Sequence, residues 1–454
     1  MKRIIAVVLV LLLVLSGCAV PNIILPGTSS GVSQNSSSHI QSSPSGTSSS
    51  GSSSENITIV SSPASVGTEN TVSGSKLPSG AHPLETDTWC YDRISKEQQR
   101  IYKILLSSVN RMAYGWIDLG KCNTETYNED IAIAYRAFTY DYPELFWVPY
   151  EYVVKLDGLG VKVAFSLVDK DNDIETSYIV PLANKKEMQE EIDEITSKIV
   201  TEIKDKTNDK MEMLTLLHDK LCNTVTYYDA PITQDLIYTV YGALVWGYTV
   251  CEGYARTMKY LCKELGIECL IITGTSKNEQ HMWNMVRLDN EWYHIDLTWN
   301  DPGLDGDGNP KAPLHPYFNV TDEVILKDHT IDPDITKVEG SGANLGSVGF
   351  NFGLPEAKGK KYDYYDYNEL NFSDMLYAAR KIVSIYESQN FIELALNDKQ
   401  LQNYEKDKVA FISALISNIY LVSDEVDLSQ KDVFFTNTGN TLYIEWNEKT
   451  QSVN

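Results

Sequence analysis

Apolar residues recur at helical spacing in "KEQQRIYKILLSSVNRM" (96–112) and in "NEDIAIAYRAFTYDYPELFW" (128–147). "YVVKLDGLGVKVAFSLV" alternates instead, which predicts two strands around a glycine-rich turn. "NKKEMQEEIDEITSKIVTEIKDK" and "DKMEMLTLLHDKLCNTVTY" then read as amphipathic helices. A third helix is predicted over "TVCEGYARTMKYLCKELG", with Tyr254, Met258, Leu261, Cys262 and Leu265 on one face and Gly266 ending it. "ECLIITGTS" follows as a strand and "HMWNMVRLDNEWYHIDLTWND" as a hairpin. Gly and Lys accumulate over 340–361, a linker. Beyond it, "SDMLYAARKIVSIYES" and "KQLQNYEKDKVAFISALISNIY" predict helices around the strand "FIELAL", and "VFFTNTGNTLYIEW" a closing hairpin.

The first 84 residues lack this periodicity. Lys2 and Arg3 precede an apolar run of a dozen residues, too short for a comfortable membrane span, and then Leu15-Ser16-Gly17-Cys18. That is the layout of an export signal, and the last four residues resemble the bacterial lipobox, in which the cysteine is lipid-modified after cleavage. Residues 1–18 are therefore expected to be a lipoprotein signal peptide, with Cys18 the lipidation site and the protein tethered on the extracytoplasmic face. From Pro26 to Ser79 the chain is dominated by Ser, Gly and Thr, a composition unable to offset its ordering entropy. Residues 19–84 should form a disordered tether, roughly 40–45 Å end to end.

Charge narrows the partners. With 38 basic and 62 acidic residues the formal net charge is −24, which opposes binding to nucleic acid or electrostatic docking on anionic lipid. Beyond Cys18 there are six cysteines, with no C-x-x-C spacing to suggest zinc. An extracytoplasmic location permits disulfides, and Cys90 with Cys122 is one pairing open to the chain.

The chemistry centres on Cys251. Thr249-x-x-Glu252 has the form of a capping box, which would make Thr249 the N-cap and Cys251 the second helical residue. A thiol there meets the positive end of the helix dipole and backbone N–H groups without intrahelical partners, which favour thiolate and can receive an oxyanion. With Asp289-Asn290 as the hairpin turn, Leu288 pairs with Glu291 and Trp283 with Asp296. His281 and Asp296 then share a face as diagonal neighbours, roughly 7–8 Å apart at the backbone. A carboxylate there can orient the imidazole and leave its other nitrogen for the thiol. His294 lies opposite Met285, roughly 13 Å along from His281, so one ion cannot hold both. "DGDGNP" (305–310) begins like a calcium loop, but Pro310 and Pro316 occupy the positions of the required glycine and glutamate. Trp283, Trp292 and Trp299 read as packing, His218 as structural, and Asp301 lies past the strand end.

These residues carry a resemblance. "YGALVWGYTVCEGYARTMKYLCKELGIECLIITG", "HMWNMVRLDNEWYHIDLTWNDP" and "YFNVTDE" together resemble the bacterial transglutaminase-like domain, over about 215–330. The resemblance implies an α+β, papain-like core in which a helix bearing Cys packs on an antiparallel sheet bearing His and Asp. It implies Cys251 as nucleophile, His281 as base then acid, and Asp296 as orienter, with no cofactor. Trp246 and Tyr241 are candidates for a second oxyanion donor or the cleft, against aromatic packing. The domain would span 85–339, followed by the 340–361 linker and a small α+β accessory module over 362–454. A cysteine peptidase or amidase acting on protein or cell-wall peptide is expected. A cross-linking transglutaminase and a non-catalytic binding lipoprotein are the alternatives.

Overall fold

The computed structural model describes residues 57–61 and 84–448, apart from 159, 171–173, 231–233, 304–310 and 336–348. The signal segment with Cys18, most of the 19–84 tether, the 305–310 loop and the start of the linker lie outside the described residues. Among the described residues no helix is long and apolar enough to cross a membrane.

Strand β1 (Ile57–Ser61) comes first, then α1 (Lys96–Asn110), β2 (Ile117–Lys121) and α2 (Tyr127–Asp141). Next are β3 (Glu151–Asp157), β4 (Gly160–Ala164), β5 (Leu167–Asp169) and β6 (Ile174–Thr176). Helices α3 (Leu182–Lys206) and α4 (Lys210–Thr224) lead into β7 (Thr226–Tyr227) and β8 (Tyr248–Thr249). The central unit is α5 (Cys251–Leu265), β9 (Glu268–Ser276), β10 (Glu279–Leu288) and β11 (Glu291–Ile295). After it come α6 (Leu297–Asn300), β12 (Phe318–Val320), α7 (Asp322–Ile325) and β13 (His329–Ile331).

The sheet that matters for chemistry is antiparallel, in the order β12-β11-β10-β9-β13, and α5 packs across β9 and β10. This is the α+β arrangement expected. Local chemistry explains its joints. Gly266 ends α5 in the left-handed conformation at φ 74°, and Asp289 and Asn290 turn the hairpin at φ 48° and 66°. Ser95 caps α1 by accepting from the Gln98 backbone N–H at 3.2 Å, while the Gln98 side chain accepts from Ser95 N–H at 2.9 Å.

Beyond the linker, α8 (Tyr364–Tyr367), α9 (Met375–Ile385) and β14 (Phe391–Ala395) precede α10 (Asp398–Lys406), α11 (Lys408–Val422), β15 (Lys431–Thr438) and β16 (Thr441–Glu448). The stretch after β14 is two helices because Asp407 leaves helical geometry and caps α11, accepting from Ala410 N–H at 2.9 Å. Among the described residues two large apolar cores result, one running from Trp89 to Ala357 and one from Phe372 to Trp446, beside a small cluster of Val153, Ala164 and Leu167.

Two expectations are corrected. The 19–84 tether is not structureless throughout, since β1 pairs with β3 from Ile57↔Lys155 to Ser61↔Glu151. "ITIV" is a β-branched run, which suits a strand added to an open sheet edge. Cys90 and Cys122 are not bridged, and all six described cysteines are free thiols. Cys90 is buried beside Asp141, whereas Cys122 accepts from the Arg100 guanidinium at 3.4 Å.

Candidate active site

Helix α5 begins at Cys251 with Val250 as its N-cap, so the thiol stands on the first helical residue rather than the second. The expected capping box does not form. The Thr249 hydroxyl donates to the Ile237 carbonyl at 2.5 Å, and the Glu252 carboxylate accepts from Arg256 Nε at 2.8 Å in a buried pair. A carbonyl brought in by the turn at Asp235–Tyr238 has taken the hydroxyl that sequence spacing assigned to the helix. The chemical consequence survives the correction. Cys251 is half-buried at the electropositive end of a fifteen-residue helix, where the first backbone amides lack partners within the helix.

His281 sits on β10 opposite Gly274 of β9. The β10–β11 register runs from Leu288↔Glu291 to Asn284↔Ile295, as the two-residue turn requires. It stops one pair short of the expected Trp283–Asp296 pairing. Asp296 leaves the ladder to cap α6, its Oδ1 accepting from Trp299 N–H at 3.2 Å, while its own N–H donates to Tyr317 O at 3.0 Å. Its Oδ2 lies 2.7 Å from His281 Nε2, and both side chains are buried. Cys251 is near enough to help raise the His281 pKa, and with Nε2 on the carboxylate the other ring nitrogen is left for the thiol. The structure thus brings Cys251, His281 and Asp296 together.

The electrostatics follow from this geometry. Burial alone would depress the His281 imidazolium, but the Asp296 carboxylate and then Cys251 outweigh it and raise the pKa to about 10. Burial likewise opposes the Asp296 charge, yet the His281 and His329 rings hold that carboxyl below its ordinary range. The site therefore favours a charged imidazole next to an ionised carboxylate.

His329 is the residue that sequence reasoning missed. It starts β13 and is fully buried, with Nε2 3.0 Å from Asp296 Oδ2 and Nδ1 2.7 Å from Asp328 Oδ1. The two imidazole centroids stand 5.5 Å apart. Trp283 lies nearly parallel to His281 at 5.8 Å and edge-on to His329 at 5.1 Å, so its packing role is also a site role. Trp299 approaches His281 at 6.0 Å, with the Lys277 ammonium 3.2 Å from the centre of its ring.

The remaining candidates make contacts of their own. Trp246 stacks on Tyr248 at 5.5 Å and meets Tyr241 edge-on at 5.8 Å, while the Tyr241 hydroxyl donates to Glu191 at 2.5 Å. Both rings make aromatic contacts. The phenols that feel Cys251 are Tyr227 and Tyr238. Burial first and the Cys251 charge second push Tyr227 up to about 12, and Tyr227 pairs across from Thr249 in the parallel β7–β8 contact. His294 lies opposite Met285 as expected, accepts from Trp283 Nε1 at 3.1 Å, and meets Asp322 at 2.8 Å. Asp301 accepts from the Tyr254 hydroxyl and from Gly303 N–H.

Among the described residues two groups, His281/Asp296/His329 and His218/Asp219/His315, bring potential metal-ligand atoms within 4.8 Å of one another. The first is the hydrogen-bonded set just described. In the second, Asp219 Oδ1 lies 2.8 Å from His218 Nδ1 and 2.9 Å from His315 Nε2, while Asn300 Nδ2 lies 3.1 Å from His218 Nε2. Glu393 Oε1 is 2.9 Å from His315 Nδ1. Each of these ring nitrogens has a hydrogen-bonding partner.

A helix-borne thiol, a strand-borne imidazole and a buried carboxylate define the papain-like class of Cys-His-Asp sites. Within that class, residues 197–297 match the transglutaminase-like superfamily core, and the chain carries a domain of that superfamily. Kyphoscoliosis peptidases of Mus musculus and Homo sapiens are each 28% identical over 98 residues, which is 18% of this chain and 15% of the relative. The match thus spans a small part of those relatives' length. A crystal structure of a TGase overlaps 35% of this chain and 46% of its own at 16% identity, with a TM-score of 0.23.

Proposed function

We propose that the protein is a thiol-dependent acyl-transfer enzyme, a cysteine peptidase or amidase acting on protein or cell-wall peptide. The observation that carries this reading is the 2.7 Å contact of His281 with Asp296, with Cys251 at the start of α5 near enough to act on the same ring. The Cys251 thiolate adds to a carboxamide or peptide carbonyl carbon, and the carbonyl π pair moves to oxygen. Backbone N–H groups at the first turn of α5 stabilise that oxyanion. Its collapse expels the amine, which takes its proton from the His281 imidazolium. Water gives a proton to the now neutral His281 as its oxygen adds to the thioester carbonyl, and collapse releases the carboxylic acid and the Cys251 thiolate beside the His281 imidazolium. The name of the mammalian relatives supports hydrolysis over cross-linking. An acceptor amine in place of water would make the same site a transglutaminase.

The location belongs to the same proposal. Lys2, Arg3, the apolar run and Leu15-Ser16-Gly17-Cys18 support export and lipid anchoring through Cys18, and the 19–84 segment supports reach from the membrane to surface peptides. The test is mass spectrometry of surface proteins incubated with enzyme and a labelled amine. Hydrolysis is expected to give new peptide termini without amine incorporation, lost in Cys251→Ala. Incorporation lost in the same variant would assign transfer. Selective alkylation at Cys251 near neutral pH is expected of any enzyme of this kind. Alkylation equally slow in wild type and His281→Ala would leave a binding lipoprotein.

A further inference from the structure

Asp296 has more partners than a two-member hydrogen bond needs. Its Oδ1 is fixed by Trp299 N–H, and its Oδ2 faces two imidazole nitrogens at 2.7 and 3.0 Å. The second ring, His329, has a carboxylate oxygen against each nitrogen. In the tautomer with its proton on Nε2, the ring donates to Asp296 Oδ2. Behind it, Asp328 is partly exposed and its Oδ2 accepts from the Tyr317 hydroxyl. The chain of contacts therefore runs from His281, beside Cys251, through Asp296 and His329 to Asp328 at the protein surface.

The sheet explains how the two rings meet. His281 on β10 lies opposite Gly274 of β9, and Gly274 lies opposite Ile331 of β13, two residues from His329. His281, Gly274, Ile331 and His329 consequently share one face. At Gly274 a Cβ would stand 1.9 Å from Thr330 O and 2.8 Å from the Trp283 ring. The absence of a side chain there leaves Trp283 room to lie against both imidazoles.

We infer that His329 is a positioning residue for the acyl-transfer site. By holding Oδ2 of Asp296 alongside His281, with Asp328 fixing its own ring, it keeps the carboxylate at the angle that orients His281 toward Cys251. This inference rests on the function proposed above. A carboxylate held only through Oδ1 and one imidazole can pivot about its side-chain torsion. A second donor on Oδ2 removes that freedom, and it also keeps the carboxylate an acceptor rather than a competitor for the imidazole proton. The charged and titratable groups facing the two rings are Cys251 from α5, Asp296 from the start of α6, His294 from β11, and Asp328 with Tyr317 beside β13.

The experiment uses the full chain with three substitutions: His329→Leu, His329→Gln and Asp328→Asn. Iodoacetamide labelling of Cys251 is followed by mass spectrometry from pH 5 to 11, and His281 is titrated by imidazole 15N NMR. His329→Leu should slow labelling at pH 7 by about tenfold or more, the size of one hydrogen bond to a charged group. His281 should also titrate at lower pH in that variant, since its burial is then less well opposed. His329→Gln, which retains one N–H donor, should recover most of the rate and the His281 titration. Asp328→Asn should lose about threefold, in the same direction. A folded His329→Leu protein with the wild-type rate, pH profile and His281 titration would overturn the inference. So would Leu and Gln variants equally impaired, which is the mark of packing alone. Should the Leu variant not fold, wild-type behaviour in both His329→Gln and Asp328→Asn overturns it. If wild-type Cys251 labels no faster than in His281→Ala, the acyl-transfer proposal fails, and the NMR titration still decides whether His329 orients the pair.

Discussion

Replacing Glu393 by Gln tests the seam between the two apolar cores. Glu393 lies on β14, is buried, and reaches out of its own core to His315, accepting from the His315 backbone N–H at 2.9 Å and meeting Nδ1 at 2.9 Å. The Tyr365 hydroxyl donates to it at 2.7 Å, and the Tyr364 ring lies flat on His315 at 3.7 Å. On its other side His315 meets Asp219 of α4 at 2.9 Å. Burial opposes the His315 charge, but Glu393 first and Asp219 with it raise the pKa from 6.5 to about 9. At 1.36 kcal/mol per unit the shift corresponds to roughly 3 kcal/mol, and loss of the Glu393 charge should remove about 2 of these.

The sign is fixed by linkage. A folded-state pKa raised above its unfolded value gives stability that is fully present below about pH 6.5 and lost as pH climbs through about 9. Denaturant unfolding of the full chain at pH 6 and at pH 9.5 measures it, with limited proteolysis reporting release of residues 362–454. Glu393→Gln should be less stable than wild type by about 2 kcal/mol at pH 6, and the gap should narrow by pH 9.5, where His315 is mostly neutral in both. Other titrating groups act alike in the two proteins and cancel from the difference. A gap that is absent at pH 6, or equally wide at both pH values, would refute the reasoning.

Asp296→Asn should lower hydrolysis by about 10⁴-fold if its carboxylate sets the imidazole tautomer as in other Cys- and Ser-His-Asp sites, with labelling of Cys251 as a second measure. His281, raised to about 10 largely by that carboxylate against its burial, should then titrate well below that value by NMR. Gly274→Ala should cost about 2 kcal/mol or more in thermal unfolding, because the added methyl stands 1.9 Å from a backbone oxygen of β13 and the strand must shift. It should also slow Cys251 labelling, since His329 begins that strand.

What was legible in the sequence was what local rules govern. The Asp289-Asn290 turn sets the hairpin register, so His281 and Asp296 could be placed on one face from a two-residue loop. Gly266 and the apolar face of α5 located the helix, and with it Cys251. Failures came where distant chain competes for a local group. Thr249 and Glu252 have the spacing of a capping box, but Ile237 O and Arg256 hold their side chains. His329 is 33 residues from Asp296 and reaches it only because β13 adds to the far edge of β9, a pairing of three residues that no period reveals. "KDHT" carries no pattern of its own. The contact of His315 with Glu393 spans 78 residues and joins segments read as separate modules.

The same contrast decides which substitution is informative at the centre of the site. Asp296 does three things at once: its backbone N–H ties to Tyr317 O, its Oδ1 caps α6 through Trp299 N–H, and its Oδ2 receives two imidazoles. Alanine would remove the cap and both ring contacts together, so a lost activity could not be told from a lost fold. Asparagine is different. It keeps the backbone tie, and its single carbonyl oxygen can keep the cap, but its amide then faces the two rings as a donor where they need an acceptor. The imidazoles must surrender protons or turn away, while the elements around them retain their hydrogen bonds. Activity should therefore fall by orders of magnitude in a protein whose unfolding changes far less, and that separation is what a carboxylate acting on His281, rather than on the fold, requires.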